Sequence, residues 1–253
     1  MSEIDKYKPG SFCWTELATN DRVAAAKFYG ALFGWEAKEQ PMGPDDVYVM
    51  LMKRGKTVGA LYQDTKSGAP PHWNSYVAVT SADDAAQKAK SLGGNVVAGP
   101  MDVFEAGRMA FIADPEGAMI AAWEPKLNKG ADLYREEGAL CWNELMSHDA
   151  DRAQQFYASL FGWTAKVSPG YTELHLGEEA IGGIFPMQGP MFEKMPAVWM
   201  PYFAVADCDA STAKVKSLGG HVMKQPDEIP NVGRFSVVGD PQGAMFNLFQ
   251  AKM

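Results

Sequence analysis

The sequence predicts an α+β protein built from two tandem domains, each of which contains two βαβββ modules. The first observation is length, since 253 residues divide into two halves of ordinary domain size. The second is an internal repeat: CWTELATNDRVAAAKFYGALFGW (13–35) returns as CWNELMSHDADRAQQFYASLFGW (141–163), with 12 of 23 positions identical. The third is a strand–helix–strand–strand–strand order that recurs within each half. A tandem duplication explains all three observations.

A second repeated block fixes the extent of the duplication. The segment GRMAFIADPEGAM (107–119) returns as GRFSVVGDPQGAM (233–245), and the segment between the two matched halves is polar. We therefore predict three parts along the chain: domain 1 at residues 9–125, a linker at 126–137 and domain 2 at 138–252.

The first module of each domain opens with a short strand of alternating character, at residues 12–17 in domain 1. Asp21 is a suitable N-cap for a helix whose apolar residues recur at a spacing of three to four, and Gly34 is a suitable C-cap. Three strand-like segments follow, which are WEAKE, VYVMLMK and TVGALYQ. This order is the first βαβββ module.

The second module repeats the same order. The strand SYVAVT leads into the helix ADDAAQKAKSL, which stops at Gly93 and Gly94, and the strands NVVA, RMAFIA and AMIAAW follow. The segment DPEG between the last two strands predicts a tight turn, because Asp bonds its own backbone, Pro fixes φ and Gly accepts a positive φ.

Composition excludes several classes of function. The chain has 23 Lys and Arg against 31 Asp and Glu, a net charge of −8, and a chain this acidic would repel a nucleic-acid backbone. The start MSEIDKYKPG lacks an apolar signal region, and no apolar run is long enough to span a membrane. Three cysteines without a C-x-x-C pair fit a reducing compartment. We expect a cytoplasmic protein without nucleic-acid or membrane partners.

Particular motifs resemble a known superfamily. The D…FY…LFGW helix, the LGG after the second helix and the GR…DP-x-GA block, together with the paired βαβββ plan, resemble the vicinal oxygen chelate superfamily. That superfamily includes glyoxalase I, bleomycin-resistance proteins and extradiol dioxygenases, and the W-x-E-L motif is most similar to its tandem glyoxalase-like proteins. The resemblance covers residues 9–125 and 138–252. It implies that each domain curls eight strands into an open cup with helices outside.

The resemblance also implies where a metal would be held. Metal-using members carry His or Glu at corresponding points of the cup, and here those points hold other residue types: Trp14, Asn74 and Ala121 in domain 1, Trp142, Met200 and Asn247 in domain 2, with a fourth point among residues 60–62 and 184–186. These residues do not supply the ligands that a Zn²⁺ or Fe²⁺ site needs. We therefore predict no metal ligand and no cofactor, with a divalent metal at a non-standard site as the alternative.

Two equivalent glutamates are the candidate catalytic residues. Glu16 and Glu144 each follow a tryptophan by two positions on a strand, so each glutamate shares a face with Trp14 or Trp142. A carboxylate in an aromatic pocket has a raised pKa, which suits proton transfer next to a carbonyl. The other interpretation is structural, as a hydrogen-bond or ion-pair partner for an arginine.

An aromatic set recurs in both copies and favours a small-molecule cup. Its members are Trp14, Trp73, Tyr76 and Trp123 in domain 1, and Trp142, Trp199, Tyr202 and Phe249 in domain 2. A cup lined in this way would hold a planar or apolar molecule. The other interpretation is that the rings fill the core.

The remaining candidates for ligand binding are polar. Arg108 and Arg234 each open a strand after a glycine, where a guanidinium can clamp an anion or tie down a loop. Glu173 and His175 share a strand face, as a weak acid–base or metal pair or as part of a solvated face. His72 and Asn74 precede Tyr76 on a strand of domain 1, and Asn247 precedes Phe249 in domain 2.

The leading hypothesis is metal-independent binding of a small planar or apolar organic ligand in an aromatic cup. One alternative is a glyoxalase-like lyase or isomerase, or a dioxygenase, that uses a non-standard metal site or a glutamate base. Another alternative is a non-catalytic interaction protein whose cups are filled by their own side chains. We expect a monomer or a homodimer, since two fused domains already supply a pairing of cups.

Overall fold

The computed structural model describes residues 6–43 and 47–252, so residues 1–5, on which part of the signal-peptide argument rests, lie outside the described residues. Domain 1 contains these elements in chain order: β1 Phe12–Thr19, α1 Arg22–Phe33, β2 Glu36–Pro41, β3 Val47–Lys53, β4 Lys56–Gln63, β5 His72–Ala78, α2 Ala82–Ser91, β6 Asn95–Val103, β7 Gly107–Ala113 and β8 Met119–Pro125. Domain 2 repeats them: β9 Leu140–Ser147, α3 Ala150–Phe161, β10 Thr164–Ser168, β11 Tyr171–Leu176, β12 Glu179–Pro186, β13 Val198–Ala204, α4 Cys208–Ser217, β14 His221–Ile229, β15 Gly233–Gly239 and β16 Met245–Ala251. The predicted fold of four βαβββ modules is confirmed.

Each domain forms one sheet of eight strands. The strand order is β2-β3-β4-β1-β5-β8-β7-β6 in domain 1 and β10-β11-β12-β9-β13-β16-β15-β14 in domain 2. The first strands of the two modules meet in the middle, where β1 lies antiparallel to β5 and β9 antiparallel to β13. The outer strands do not pair with each other, so each sheet stays open like a cup.

Local sequence explains the helices. Asp21 and Asp149 accept a hydrogen bond from a backbone N–H in the first turn of α1 and α3, and Gly34 and Gly162 end these helices in the left-handed conformation. Glycine suits the last position because it has no Cβ that would clash at positive φ. The predicted caps in the repeated block are therefore both present. Within the described residues, no helix has the length and apolar character needed to cross a membrane.

The first helix of each domain, α1 or α3, packs between the sheet of its own domain and the other domain. A single buried cluster joins Tyr29 and Phe33 of α1 to Phe203 and Phe246 of domain 2. A second buried cluster joins Phe12 of domain 1 to Trp163 and other residues of domain 2. The core therefore runs continuously between the domains, behind both cups.

The segment between the domains is ordered against domain 1 in spite of its polar sequence. The N–H of Ala131 donates to the carbonyl of Cys13 at 2.8 Å, and Asp132 accepts from the N–H of Thr57 at 2.8 Å. Ala131 and Leu133 are buried. These two buried apolar residues and the hydrogen bonds to domain 1 explain why the segment between the domains packs against domain 1.

Candidate ligand-binding cups

Alternation along the central strands separates two faces of each sheet. Leu17 and Trp73 lie on the face that packs against α1 in the buried core. Trp14 and Glu16 lie on the opposite face, where Trp14 pairs with Tyr76 and Glu16 with Asn74 across β1 and β5. We call this the cup face, and we call the side chains on it cup 1 in domain 1 and cup 2 in domain 2.

Glu16 lies at the centre of cup 1, where its carboxylate is held by two tyrosines. The Tyr48 hydroxyl donates to Oε2 at 2.5 Å and the Tyr76 hydroxyl donates to Oε1 at 2.9 Å. The indole N–H of Trp14 donates to the Tyr48 hydroxyl at 3.4 Å. Burial raises the pKa of the Glu16 carboxyl, and the two tyrosine hydrogen bonds oppose that rise without cancelling it.

Cup 2 repeats this arrangement around Glu144. The Tyr202 hydroxyl donates to Oε1 of Glu144 at 2.8 Å, and the Tyr171 hydroxyl lies close enough to this carboxylate to affect its pKa. The indole N–H of Trp142 donates to the Tyr171 hydroxyl at 3.0 Å. Burial again raises the pKa of the glutamate. The predicted shared face of each tryptophan and glutamate is present in both domains.

Sequence reasoning missed Tyr48 and Tyr171, which complete the two sites. The signal was available, because aligning Glu173 with Met50 also aligns Tyr171 with Tyr48 at the start of the same strand. A hydroxyl that recurs at one position in both copies and lies on the face of the glutamate is a candidate partner for it. The arginine partner considered from the sequence is not among the hydrogen-bond partners of Glu16.

Arg108 and Arg234 lie on the other face of the sheet. Arg108 Nε donates to Asp83 at 2.6 Å and its Nη1 donates to Asp102 at 3.2 Å, while Arg234 Nε donates to Asp209 at 2.6 Å. Asp83 and Asp209 lie in the first turns of α2 and α4. Each guanidinium therefore ties the start of a helix to a strand, and neither is brought into a cup.

Trp73 and Trp199 correct the predicted aromatic lining. The indole N–H of Trp73 donates to the Tyr29 hydroxyl at 3.1 Å, and that of Trp199 donates to the Tyr157 hydroxyl at 2.8 Å. Both tyrosines lie on helices, so both indoles lie on the helix face of the sheet. The register Trp14 with Tyr76 sets Trp73 opposite Leu17, which is why its ring points away from the cup.

The other predicted residues of domain 1 lie on the cup face or at its edge. Asn74 is buried and lies opposite Glu16 in the pairing of β1 with β5. The ring of Trp123 lies 6.3 Å from that of Tyr76. His72 lies at the start of β5, and its Nδ1 is 2.8 Å from the carbonyl of Pro70.

The predicted pair of Glu173 and His175 is present in domain 2. Oε1 of Glu173 lies 2.6 Å from Nε2 of His175, on the same strand as Tyr171. The two side chains are partly exposed, at 39% and 18%. The pair is therefore a polar edge to cup 2.

Three of the equivalent positions at which the two cups differ lie on β4, β7 and β8 of domain 1 and on their counterparts β12, β15 and β16 of domain 2. Cup 2 has Asn247, Val237 and Gly183 where cup 1 has Ala121, Phe111 and Ala60. In cup 1 the ring of Phe111 packs 5.8 Å from that of Tyr76 and fills the centre.

Asn247 is the polar member of that set. Its side chain is 1% exposed, and neither its Oδ1 nor its Nδ2 has a hydrogen-bond partner among the described residues. An unpaired buried polar group costs about 1–3 kcal/mol, so an amide with both ends unpaired needs an explanation.

The cups also differ in exposure. Trp14 and Glu16 are 4% and 7% exposed, whereas Trp142 and Glu144 are only half-buried. Cup 1 is therefore the more completely sealed of the two.

A separate cavity of about 290 Å³ opens at the junction of the domains and not in either cup. Its lining includes Lys53 and Lys214, whose ammonium groups donate to the carbonyls of Phe33 and Leu32 at 3.2 and 3.4 Å. These contacts satisfy the free carbonyls at the end of α1. The two lysines therefore have a structural role, since they cap the C-terminus of α1.

Comparison with known proteins identifies the class that this fold and these sites define. Residues 11–122 match the family model of the glyoxalase/bleomycin resistance protein/dioxygenase superfamily, and residues 141–249 match that of a glyoxalase-like domain. The chain belongs to the glyoxalase/bleomycin resistance protein/dioxygenase superfamily, with its domains in tandem. The resemblance inferred from the repeated motifs is thereby confirmed.

Two relatives align over nearly the whole chain. The "Putative glyoxylase CFP32" of Mycobacterium tuberculosis is 39% identical, over 99% of this chain and 98% of its own length. The "Anthracycline biosynthesis protein DnrV" of Streptomyces peucetius is 32% identical, over 98% of this chain and 96% of its own length.

Two solved structures share the fold. The Mn(II)-bound glyoxalase from Novosphingobium aromaticivorans has a TM-score of 0.67 at 14% identity, with 96% of this chain and 82% of that chain covered. A catechol 2,3-dioxygenase has a TM-score of 0.65 at 15% identity, covering 97% and 89%.

The side chains present do not fit a metal centre of the kind that such relatives hold. No group of three or more His, Cys, Asp or Glu side chains in residues 6–43 and 47–252 is placed to share one ion. On the cup face, Glu16 and Glu144 each accept hydrogen bonds from tyrosine hydroxyls, and Asn247 offers an amide. Tryptophan indoles and amides are poor ligands for Zn²⁺, Mn²⁺ or Fe²⁺.

Proposed function

We propose that this protein binds a small planar organic molecule in an aromatic cup without a metal ion. The observation that carries the proposal is the arrangement around Glu144, where the carboxyl accepts a hydrogen bond from Tyr202 and the half-buried Trp142 donates one to the neighbouring Tyr171 hydroxyl. Aromatic side chains supply large flat contact surfaces, and a few polar groups orient what they hold. A planar ligand with a polar edge matches this set of groups.

The lack of a fitting donor set supports the metal-free part of the proposal. Glyoxalases and extradiol dioxygenases share the fold of this chain, yet fold does not fix chemistry. Here the groups at the centre of each cup are a carboxyl and two phenols, which donate and accept hydrogen bonds.

The name of one relative bears on the chemistry of the ligand. One relative is named as a protein of anthracycline biosynthesis, and anthracyclines contain fused planar rings. At 32% identity over nearly the full length, that name supports a planar polycyclic ligand class for this chain.

Calorimetric titration with 2-quinolone tests the proposal. This probe is a planar bicyclic lactam that is neutral near pH 7, and 2-piperidone is the matched control because it has the same lactam without the aromatic rings. We expect 2-quinolone to bind protein that has been treated with EDTA, with a Kd unchanged within twofold after Mn²⁺ is added. We expect 2-piperidone to bind much more weakly. Binding that requires Mn²⁺, or no binding of 2-quinolone, would contradict the proposal.

The second candidate is proton transfer by the buried glutamate. Burial raises the pKa of the Glu144 carboxyl above its ordinary value, which favours a carboxyl that can accept and return a proton. Its test is loss of the C1 proton signal of 2-tetralone in D₂O, followed by NMR. If Glu144 is the base, the wild type accelerates exchange over buffer and Glu144→Gln abolishes the acceleration while still binding 2-quinolone. Equal exchange with and without protein would exclude this candidate.

A further inference from the structure

The amide of Asn247 is a polar group on the cup face of domain 2 that no protein group satisfies. It lies beside Tyr202 in the sheet, and Tyr202 bonds to Glu144, so the amide shares the face of the candidate site. Its Oδ1 and Nδ2 are buried and have no hydrogen-bond partner in the described part of the chain. Buried polar groups are normally paired, and a group left unpaired on the wall of a candidate site is a place for a ligand atom.

Cup 1 lacks this amide, and it carries a larger ring beside the equivalent position. Ala121 replaces Asn247, and the ring of Phe111 occupies the position that Val237 holds in cup 2. Phe111 packs against Tyr76. In cup 1, apolar side chains therefore occupy the position where cup 2 offers an amide.

The rings around Asn247 give a ligand a way in. Trp142, Phe235 and Phe249 are half-buried, and they neighbour Tyr202 or Asn247 on the same face. Partly exposed side chains change rotamer on fast timescales, so a flat molecule can displace a ring and reach the amide.

We infer that cup 2 is the ligand site of this protein, and that its ligand is a neutral planar molecule which presents an adjacent hydrogen-bond donor and acceptor to the amide of Asn247. The inference rests on the proposed function and narrows it to one domain and one class of ligand edge. A side-chain amide has one acceptor and one donor side by side, which pair with a lactam or similar edge in two parallel hydrogen bonds.

Charge in cup 2 favours a neutral molecule. Glu144 lies at the centre, and Glu173 lies on the same face at the edge. The ammonium of Lys224, which is 5.3 Å from the ring of Phe235, pairs with Asp227 at 2.8 Å. An anionic ligand would meet two carboxyl groups, whereas a neutral lactam edge meets no such repulsion.

The test compares 2-quinolone with N-methyl-2-quinolone, which has the same rings and carbonyl but no N–H donor. We expect one molecule of 2-quinolone per chain, and weaker binding of the methylated probe. Asn247→Ala, which installs the residue of cup 1, is expected to weaken binding of 2-quinolone about tenfold, as for the loss of two neutral hydrogen bonds. The same substitution should change the affinity for the methylated probe much less.

Two further variants separate recognition from stability. Asn247→Leu keeps the size of the side chain and removes the unpaired amide, so the protein should gain resistance to urea while losing affinity for 2-quinolone. Asn143→Ala is the matched control, because Asn143 is a buried asparagine of the same sheet on the opposite face, where its Oδ1 accepts from Ser75 at 2.6 Å. It should bind both probes as the wild type does.

The outcomes distinguish the inference from the proposed function. Two bound probes per chain, or an affinity for 2-quinolone that Asn247→Ala and Asn247→Leu both leave intact, would overturn the inference while the proposed function stands. Failure of both probes to bind the wild type would overturn the proposed function and the inference together.

Discussion

The hydroxyl of Tyr29 in domain 1 donates a hydrogen bond of 3.0 Å to Oδ2 of Asp240 in domain 2. The reverse pair is also present, since Tyr157 of domain 2 donates to Asp114 of domain 1 at 3.0 Å. Both bonds are buried, and each aspartate opens the turn before the last strand of its domain. The FY helix motif and the DP-x-G motif, which recur far apart in the sequence, therefore meet across the junction of the domains.

Removal of one of these hydroxyls tests the contribution of the pair to stability. Tyr29→Phe leaves Asp240 with fewer hydrogen bonds and leaves the indole N–H of Trp73 without its acceptor. We expect a loss of about 1–3 kcal/mol in the free energy of unfolding, measured by urea denaturation. A double-mutant cycle with Asp240→Asn should give a coupling energy in that range.

The reverse pair supplies the control for that cycle. Asp114 has the same surroundings as Asp240 but bonds to Tyr157. Tyr29→Phe combined with Asp114→Asn should therefore be additive within about 0.5 kcal/mol. Equal coupling energies of Tyr29 with both aspartates would show that the hydrogen bond from Tyr29 to Asp240 is not the source of the measured coupling.

The pH dependence of stability follows from the buried Glu16. Burial raises its pKa in the folded protein, whereas in the unfolded chain a glutamate titrates near about 4.3. The folded protein thus holds this proton more tightly, so stability from this group is lost as pH rises from the unfolded pKa to the folded pKa. Glu16→Gln stays neutral throughout. We expect it to become more stable relative to the wild type as pH rises above the unfolded pKa and until the folded pKa is reached, by up to about 1.4 kcal/mol per pH unit.

Urea denaturation at several pH values checks this expectation. Glutamine is a fair mimic of the protonated carboxyl, because its NH₂ can donate to one tyrosine while its carbonyl accepts from the other. A stability difference between the two proteins that stays constant over this range would mean that Glu16 ionises alike in both states.

The repeated modules and the shared faces of Trp14 and Glu16 were predictable because they depend on local pattern. Helix caps, turn residues and alternation are encoded within a few residues of each other. The position of Tyr48 near Glu16 was not predictable from local pattern, since it depends on β4 lying between β3 and β1 in the sheet. The ring of Trp73 was misplaced for a related reason, because the pairing register of β1 and β5 decides which alternate residues face the cup.

Arg108 and Arg234 give a prediction that departs from the ligand-clamp hypothesis. Each arginine is paired with an aspartate at the start of a helix, away from the cups. We expect Arg108→Ala and Arg234→Ala to change the affinity for 2-quinolone by less than twofold in calorimetric titration. A loss of tenfold or more in either variant would restore the arginine as a ligand-binding residue.

Gly183 gives the last prediction, because Tyr171 reaches Glu144 through the space where a side chain of residue 183 would lie. A Cβ at this glycine would be 2.1 Å from the Tyr171 hydroxyl, whereas cup 1 has Ala60 at the equivalent position. We expect Gly183→Ala to displace the Tyr171 ring, to lower the free energy of unfolding by about 1–3 kcal/mol and to weaken binding of 2-quinolone. Urea denaturation and calorimetry measure the two effects. Gly43→Ala is the matched control, since no atom of the described residues beyond its chain neighbours lies within 4 Å of the added methyl group. Equal behaviour of the two variants would show that the fit of Tyr171 against Gly183 does not shape cup 2.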